Sequence, residues 1–344
     1  MPTFRTPLAA ASALILAACA APDAATTDAA APATATPSVS DPAPEVAATA
    51  ASAPATVDNC GTEVPVGESP ERIVAIKSSA AELLLALGLE DRIVGAAFLD
   101  GPLAPRAGDA GHEVPIVSDG LPGQEAVLSL EPDAIFAGWE SNLSVDGAGE
   151  RPQLEGLGIL TYVAPSACKD AEHQPHPMTF PLLMDHVREA GLVFGAETEA
   201  QELAVDLEDQ LAAIAPDARG LSALWYSSGS DTPYVGAGIG APQMVMEAAG
   251  LANIVGDVED TWTSASWEAV AAEDPDVIVL VDAAWNTADD KIAVLEDNPA
   301  TAQLSAVQQS NYVVVPFAAS EAGVRSVDAV ASIVDQLGAI EVED

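Results

Sequence analysis

Two cations and five tryptophans are the residues best placed for chemistry. Lys77 closes the apolar segment Arg72-Ile-Val-Ala-Ile-Lys77 and stands directly before Ser78-Ser79, whose hydroxyls could cap a following helix. Arg325 lies in Glu321-Ala-Gly-Val-Arg-Ser-Val-Asp328, near the start of the last apolar-periodic segment. A cation at a strand end, beside a helix N-terminus, suits a carboxylate or a phosphate. In so acidic a chain, a surface salt bridge would use the same two residues. The five tryptophans all fall between residues 139 and 285. Trp139, Trp225, Tyr226 and Trp285 stand at or just beyond apolar segments, while Trp262 and Trp267 occupy a Thr/Ser-rich stretch. Aromatic rings in such places suit the wall of a cleft for a flat or bulky ligand. Lys77, Ser78, Trp139, Trp225, Tyr226, Trp262, Trp285 and Arg325 are therefore the expected ligand-binding residues.

No catalytic constellation emerges. The histidines are His112, His173, His176 and His186, and only His173-Gln-Pro-His176 has a spacing that could touch a metal. That pair sits in a Pro-rich stretch without a nearby cysteine, and a metal needs three or four convergent ligands. No metal site, catalytic residue or catalytic cofactor is expected. Gly-x-Ser-x-Gly and Walker patterns are missing from the sequence. Gly236-Ala-Gly-Ile-Gly240 is glycine-rich, but ten residues separate Tyr226 from Ala237, whereas a dinucleotide fingerprint follows its strand directly. A loop that lets backbone approach a ligand closely remains open there.

The elements that must position these residues come from a repeat. Glu125-Ala-Val-Leu-Ser-Leu-Glu-Pro-Asp-Ala-Ile135 recurs as Glu268-Ala-Val-Ala-Ala-Glu-Asp-Pro-Asp-Val-Ile278. Each copy reads as a short helix, a Pro-Asp turn and an apolar strand, residues 134–138 and 277–282, closely followed by Trp139 or Trp285. A strand at 72–77, a helix at 79–87 ended by Gly88 and a strand at 93–95 open the first half. A strand at 221–226, a helix at 242–249 ended by Gly250 and a strand at 254–256 open the second. A further strand is expected at 312–316. Alternation of strand and helix at this scale predicts an α/β fold of two similar lobes, with parallel sheets whose carboxyl ends face a ligand. Glu125 and Glu268 fall in the first turns of equivalent helices. There they complement the helix dipole, or form a symmetric pair able to engage arginines on a two-fold partner.

The N-terminus carries Arg5, an apolar run over residues 8–18 and then Leu16-Ala-Ala-Cys19. That pattern is a secretory signal, too short to span a bilayer, and its cysteine resembles the lipidated residue of a bacterial lipobox. Residues 20–57 are mostly Ala, Pro, Thr, Ser and Asp and predict a disordered tether. Cys60 and Cys168 are the other two cysteines, and in an exported protein they are expected to pair. The 53 Asp and Glu against 11 Lys and Arg, a formal charge of -42, exclude nucleic acid as a partner and disfavour adhesion to anionic lipid.

Arg72-Ile-Val-Ala-Ile, the segment Glu82-Leu-Leu-Leu-Ala-Leu-Gly-Leu-Glu-Asp-Arg-Ile-Val-Gly95 and the doubled Glu…Pro-Asp-x-Ile resemble the class III periplasmic binding proteins over residues 66–337. These are substrate-binding lipoproteins of ABC importers for iron-siderophores, haem and cobalamin. The resemblance implies two Rossmann-like lobes joined by a long interlobe helix, here residues 198–214 after a helix at 181–194. It also implies permease docking through Glu125 and Glu268. The implied layout is a lipoprotein signal at 1–18, a tether at 19–57, an N-terminal lobe at 58–177, connecting helices at 178–216 and a C-terminal lobe at 217–344. Phe98-Leu-Asp-Gly-Pro, Ala137-Gly-Trp-Glu-Ser-Asn142, Leu224-Trp-Tyr-Ser-Ser-Gly229, the stretch from Pro233 to Gln243 and Val281-Asp-Ala-Ala-Trp-Asn286 resemble a narrower actinobacterial subgroup. That subgroup is named for binding the deazaflavin (coenzyme F-420) precursor, a phospholactyl deazaflavin.

The expected function is therefore a non-enzymatic, monomeric receptor. Its lipid anchor on Cys19 would hold it at the outer face of the cytoplasmic membrane of a monoderm bacterium. It would pass an aromatic or macrocyclic cofactor-like ligand to an ABC permease and its ATPase. The deazaflavin precursor leads, with a ferric siderophore, haem or a corrinoid (cobalamin type) as alternatives. From other classes, a surface hydrolase or chelatase would need a convergent nucleophile or histidines in the cleft. A structural lipoprotein without ligand would need a cleft filled by its own side chains.

Overall fold

The computed structural model describes residues 55–67, 69–104 and 114–341. The expected signal at 1–18, Cys19, most of the tether and His112 lie outside these residues. The chain first forms a hairpin, β1 (Thr56–Asn59) antiparallel to β2 (Thr62–Pro65). Thr56 and Val57, read as the end of the tether, thus belong to ordered structure, because they pair with Pro65 and Val64.

A first sheet follows, built from β3 (Ile73–Ile76), α1 (Ser78–Ala86), β4 (Ile93–Ala97), β5 (Ile116–Ser118), α2 (Gln124–Leu128), β6 (Ala134–Ala137), α3 (Arg151–Gly156) and β7 (Leu160–Val163). Its order is β5-β4-β3-β6-β7, and every pair is parallel. All four residues of β3 and of β6 are buried, as central strands covered on both faces must be.

Two helices then form a hairpin, α4 (Phe180–Phe194) and α5 (Glu197–Ala213). They stand within one residue of the helices expected at 181–194 and 198–214. Gly195 ends α4 in the left-handed region at φ 66°, which turns the chain back. A Cβ on Gly191 would stand 2.3 Å from that of Ala200, so the helices meet at van der Waals contact there. The α4 end is fixed on the first sheet by an aromatic cluster, with Phe194 at 5.4 Å from Phe136 and 5.7 Å from Tyr162 between ring centroids. Just before its start, Met178 N donates to Ile239 O of the second half at 2.8 Å.

The second half comprises β8 (Ser222–Ser228), β9 (Tyr234–Gly236), α6 (Ala241–Ala249), β10 (Ala252–Asn253), β11 (Trp262–Ser264), α7 (Trp267–Glu273), β12 (Val277–Asp282), α8 (Ala288–Asp297), α9 (Ser305–Gln308), β13 (Tyr312–Pro316) and α10 (Ser326–Leu337). The sheet order is β11-β9-β8-β12-β13, with β10 also on β8. This sheet is not wholly parallel: β9 runs antiparallel to both β8 and β11. The expected strand at 254–256 does not form either. β10 pairs with Ser222 and Ala223, and farther along β8 the chain turns to β9 at Tyr226 and Ser228. The chain therefore turns at Gly256, whose N–H donates to Asn253 O at 3.0 Å. The α2–β6 and α7–β12 units keep the repeat, each strand a neighbour of the strand that opens its half.

Candidate functional site

Strand ends from both sheets converge on one cavity of about 640 Å³. The first sheet contributes Gly138 and Trp139 after β6, and Ser79 from α1. The second contributes Ser227 and Ser228 of β8, Tyr234 of β9, Trp262 of β11, Trp285 after β12, and Phe317 and Glu321 after β13. The parallel strands deliver their following loops to this edge, and Tyr234 reaches it because the antiparallel β9 starts beside Ser228, where β8 ends.

Three expected residues, Trp139, Trp262 and Trp285, line the cavity. Trp285 is 67 % exposed at the tip of a tight turn closed by reciprocal backbone hydrogen bonds of Ala283 and Asn286 at 3.2 and 3.0 Å. Lys291, itself buried, donates through Nζ to Asn286 O at 2.6 Å and braces that turn. Burial draws the Lys291 ammonium down to about 8, partly offset by Asp282 and Asp290. Trp262 stacks on Tyr234 with centroids 5.8 Å apart and planes 14° apart, and Trp285 meets Phe317 edge-on at 5.9 Å.

The other expected ligand residues lie elsewhere. Trp225 and Tyr226 are buried within β8 and belong to the core, where Tyr226 packs edge-on against Trp267 at 5.1 Å. β8 runs two residues beyond Tyr226, so Ser227 and Ser228 reach the cavity instead. Arg325 forks onto the buried Glu82 of α1, with Nε 2.9 and 2.7 Å from its two oxygens, and also donates through Nη2 to Pro102 O at 2.5 Å. It joins the two halves and is not part of the cavity wall.

Lys77 is fully buried and ion-paired with Asp100. Its Nζ lies 3.8 Å from the Trp139 ring centroid, 4.6 Å from Phe98 and 5.0 Å from Phe317, a cation enclosed by aromatic faces. It does not line the cavity either. Its backbone at φ 83°, ψ 153° lies in a region that side chains rarely adopt, costing about 1–3 kcal/mol, as happens at sites held rigid by their surroundings. Neither Ser78 nor Ser79 caps α1. Ser78 Oγ accepts from Asp100 N at 2.8 Å, and Ser78 N donates to the Asp100 carboxylate at 3.4 Å. Ser79 Oγ turns across the cleft and donates to Glu321 at 3.2 Å.

Glu321 is the residue that the sequence reading missed. Its carboxylate also accepts from Trp139 Nε1, so one acid joins both sheets at the cavity wall. Burial pushes it up to about 7, with Asp100 adding to the rise and Lys77, Trp139 and Ser79 opposing it. With so many carboxylates in the chain, only proximity in space could single it out.

Among the described residues no cluster of His, Cys, Asp or Glu could hold a metal, and no helix is long and apolar enough to cross a membrane. His173 instead lies against Asp58 at 3.3 Å. A disulfide joins Cys60 to Cys168, and Cys168 lines the cavity. Glu125 and Glu268 are both exposed, in the first turns of α2 and α7.

The chain is 27 % identical over 237 residues to a protein named cobalamin-binding protein from Halobacterium salinarum, covering 64 % of this chain and 57 % of that one. It thus spans little more than half the length of that relative. It is 25 % identical over 298 residues to an uncharacterized ABC transporter substrate-binding lipoprotein of Bacillus subtilis, covering 82 % of this chain and 85 % of that one. A solved structure described as an ABC-type Fe3+-hydroxamate transport system from Saccharomonospora viridis superposes with a TM-score of 0.69 at 25 % identity, covering 83 % of this chain and 99 % of that one. Residues 73–319 match the family described as Periplasmic binding protein, and the chain belongs to that family.

Proposed function

We propose that the protein is the substrate-binding component of an ABC importer and captures a large aromatic or macrocyclic ligand between its two sheets. The observation that carries this reading is the cavity walled by Trp139, Trp262, Trp285, Tyr234 and Phe317, aromatic faces interspersed with serines and other polar side chains. Names of two relatives, a cobalamin-binding protein and an ABC transporter lipoprotein, support it. The protein acts as a receptor and not as an enzyme. A lipid anchor at Cys19 holds it to the outer face of the membrane, and it meets the permease and its ATPase as a monomer. Glu125 and Glu268, exposed on equivalent helices of the two halves, dock onto the permease.

A corrinoid is the ligand class that the wall favours. Its rim is rich in amides, which the serines and the carboxylate of the wall can bind, and it needs no cation. The deazaflavin precursor is the second reading: the aromatic pairs suit its tricyclic ring. Its phospholactyl tail, however, would rely on Lys169, because Lys77 and Arg325 are engaged by Asp100 and Glu82. Uptake of labelled corrinoid by the native host, with and without the coding sequence, tests the proposal. Loss of uptake on deletion and recovery on re-expression are expected. Unchanged uptake of both the corrinoid and the deazaflavin precursor would reject it.

A further inference from the structure

The cavity wall is almost uncharged. Among its described residues the ionisable acids and strong bases are Lys169 and Glu321. Lys169 is exposed, whereas Glu321 is half-buried between Trp139 and Ser79. A carboxylate offers about four acceptor positions. Trp139 Nε1 and Ser79 Oγ take one each, so acceptor capacity is left beside an aromatic platform that a ring ligand must face. The two cations that could have balanced a ligand anion are consumed nearby, Lys77 by Asp100 and Arg325 by Glu82.

We propose that Glu321 sets the charge class of the ligand. It receives an amide, hydroxyl or cationic N–H donor from the rim of a ring ligand and acts against a ligand that places a carboxylate or phosphate there. The inference rests on the receptor reading above and names the residue that makes it selective. Its physical basis is twofold. A donor reaching Glu321 gains a charge-assisted hydrogen bond in a partly desolvated place. An anion brought to the same place meets a like charge without a free cation beside it, which is how sites reject near-analogues.

The test compares cyanocobalamin, whose rim carries neutral amides, with its three separated monocarboxylate derivatives, each with one propionamide hydrolysed. Haem, a ferric hydroxamate and the deazaflavin precursor complete the panel, titrated against the full chain and its Glu321→Gln variant. The wild-type protein is expected to bind cyanocobalamin and to bind at least one monocarboxylate about tenfold or more weakly, a difference that shrinks to about twofold in Glu321→Gln. Equal binding of all three derivatives by the wild type would overturn the proposal and leave the receptor reading intact. So would discrimination that persists in the variant, or tight binding of the anionic precursor alone. No binding by any probe would reject the receptor reading and this inference with it.

A second readout needs no variant. The charged groups around Glu321 are Lys77 and Asp100 from the first sheet, Arg325 on its own segment, held by Glu82, and Lys169 across the cavity. Because the Glu321 carboxyl titrates near neutrality, the penalty on the sensitive monocarboxylate should be large at roughly pH 8.5 and small at roughly pH 5.5. A penalty that does not change with pH contradicts the assignment.

Discussion

Lys77 Nζ lies 3.8 Å from the centre of the Trp139 ring, while Trp139 Nε1 donates to Glu321 across the cleft. Trp139 thus links a buried ammonium of one half to a carboxylate of the other. The platform that a ligand would meet is fixed from behind by charge.

Lys77→Ala leaves Asp100 buried without its cation. Removing one partner of a buried pair costs about 3–5 kcal/mol, and chemical denaturation should read a loss of that size. A loss below about 1 kcal/mol, the range of surface pairs, would contradict the burial of this pair.

A Cβ on Gly138 would stand 2.6 Å from Lys77 Cβ and 2.7 Å from Ser79 Oγ. Gly138→Ala must therefore displace the Lys77 backbone segment and should cost about 1–3 kcal/mol of stability. It should also weaken ligand binding, because Ser79 and Trp139 move with it. Unchanged denaturation midpoint and affinity would show that the approach is not tight.

Trp285 is exposed and can be removed with little effect on folding, within about 0.5 kcal/mol in Trp285→Ala. Ligand affinity should fall about tenfold or more, about 1.4 kcal/mol. The two readouts separate a ligand-facing ring from a structural one.

The raised Glu321 carboxyl also makes stability depend on pH. Its folded value of about 7 lies above the ordinary 4.5, so the folded state binds the extra proton between these values. That contribution is complete below about pH 4.5 and is lost as pH rises through about 7. His186 acts in the opposite sense: burial lowers it from 6.5 to about 4, so its contribution is complete above 6.5 and is lost as pH falls through about 4. The Glu321 effect is therefore read by comparing wild type with Glu321→Gln across pH 4.5–7, where wild type should lose stability relative to the variant as pH rises. A constant difference would show that Glu321 is not desolvated.

The strands are legible where turn residues bound their apolar runs: β12 follows Pro275-Asp276 and β13 runs from just after Asn311 to Pro316, both over the expected residues. The site was less so. Trp225 and Tyr226 lie in a central strand buried on both faces, where no alternation tells wall from core. The partners of Lys77 and Arg325 are 23 and 243 residues away, so their neutralisation could not be read locally. Glu321 was hidden among 53 acidic residues until folding placed it against Trp139.

Capture of a large ring ligand by the aromatic cavity can be read in a tryptophan-quenching titration of the full chain with a corrinoid, the deazaflavin precursor, haem and a ferric hydroxamate. Saturable quenching by one of them is predicted, weakened about tenfold or more in Trp139→Ala and in Trp285→Ala. Quenching by none of the four, or wild-type affinity in both variants, would contradict capture of the ligand by this wall.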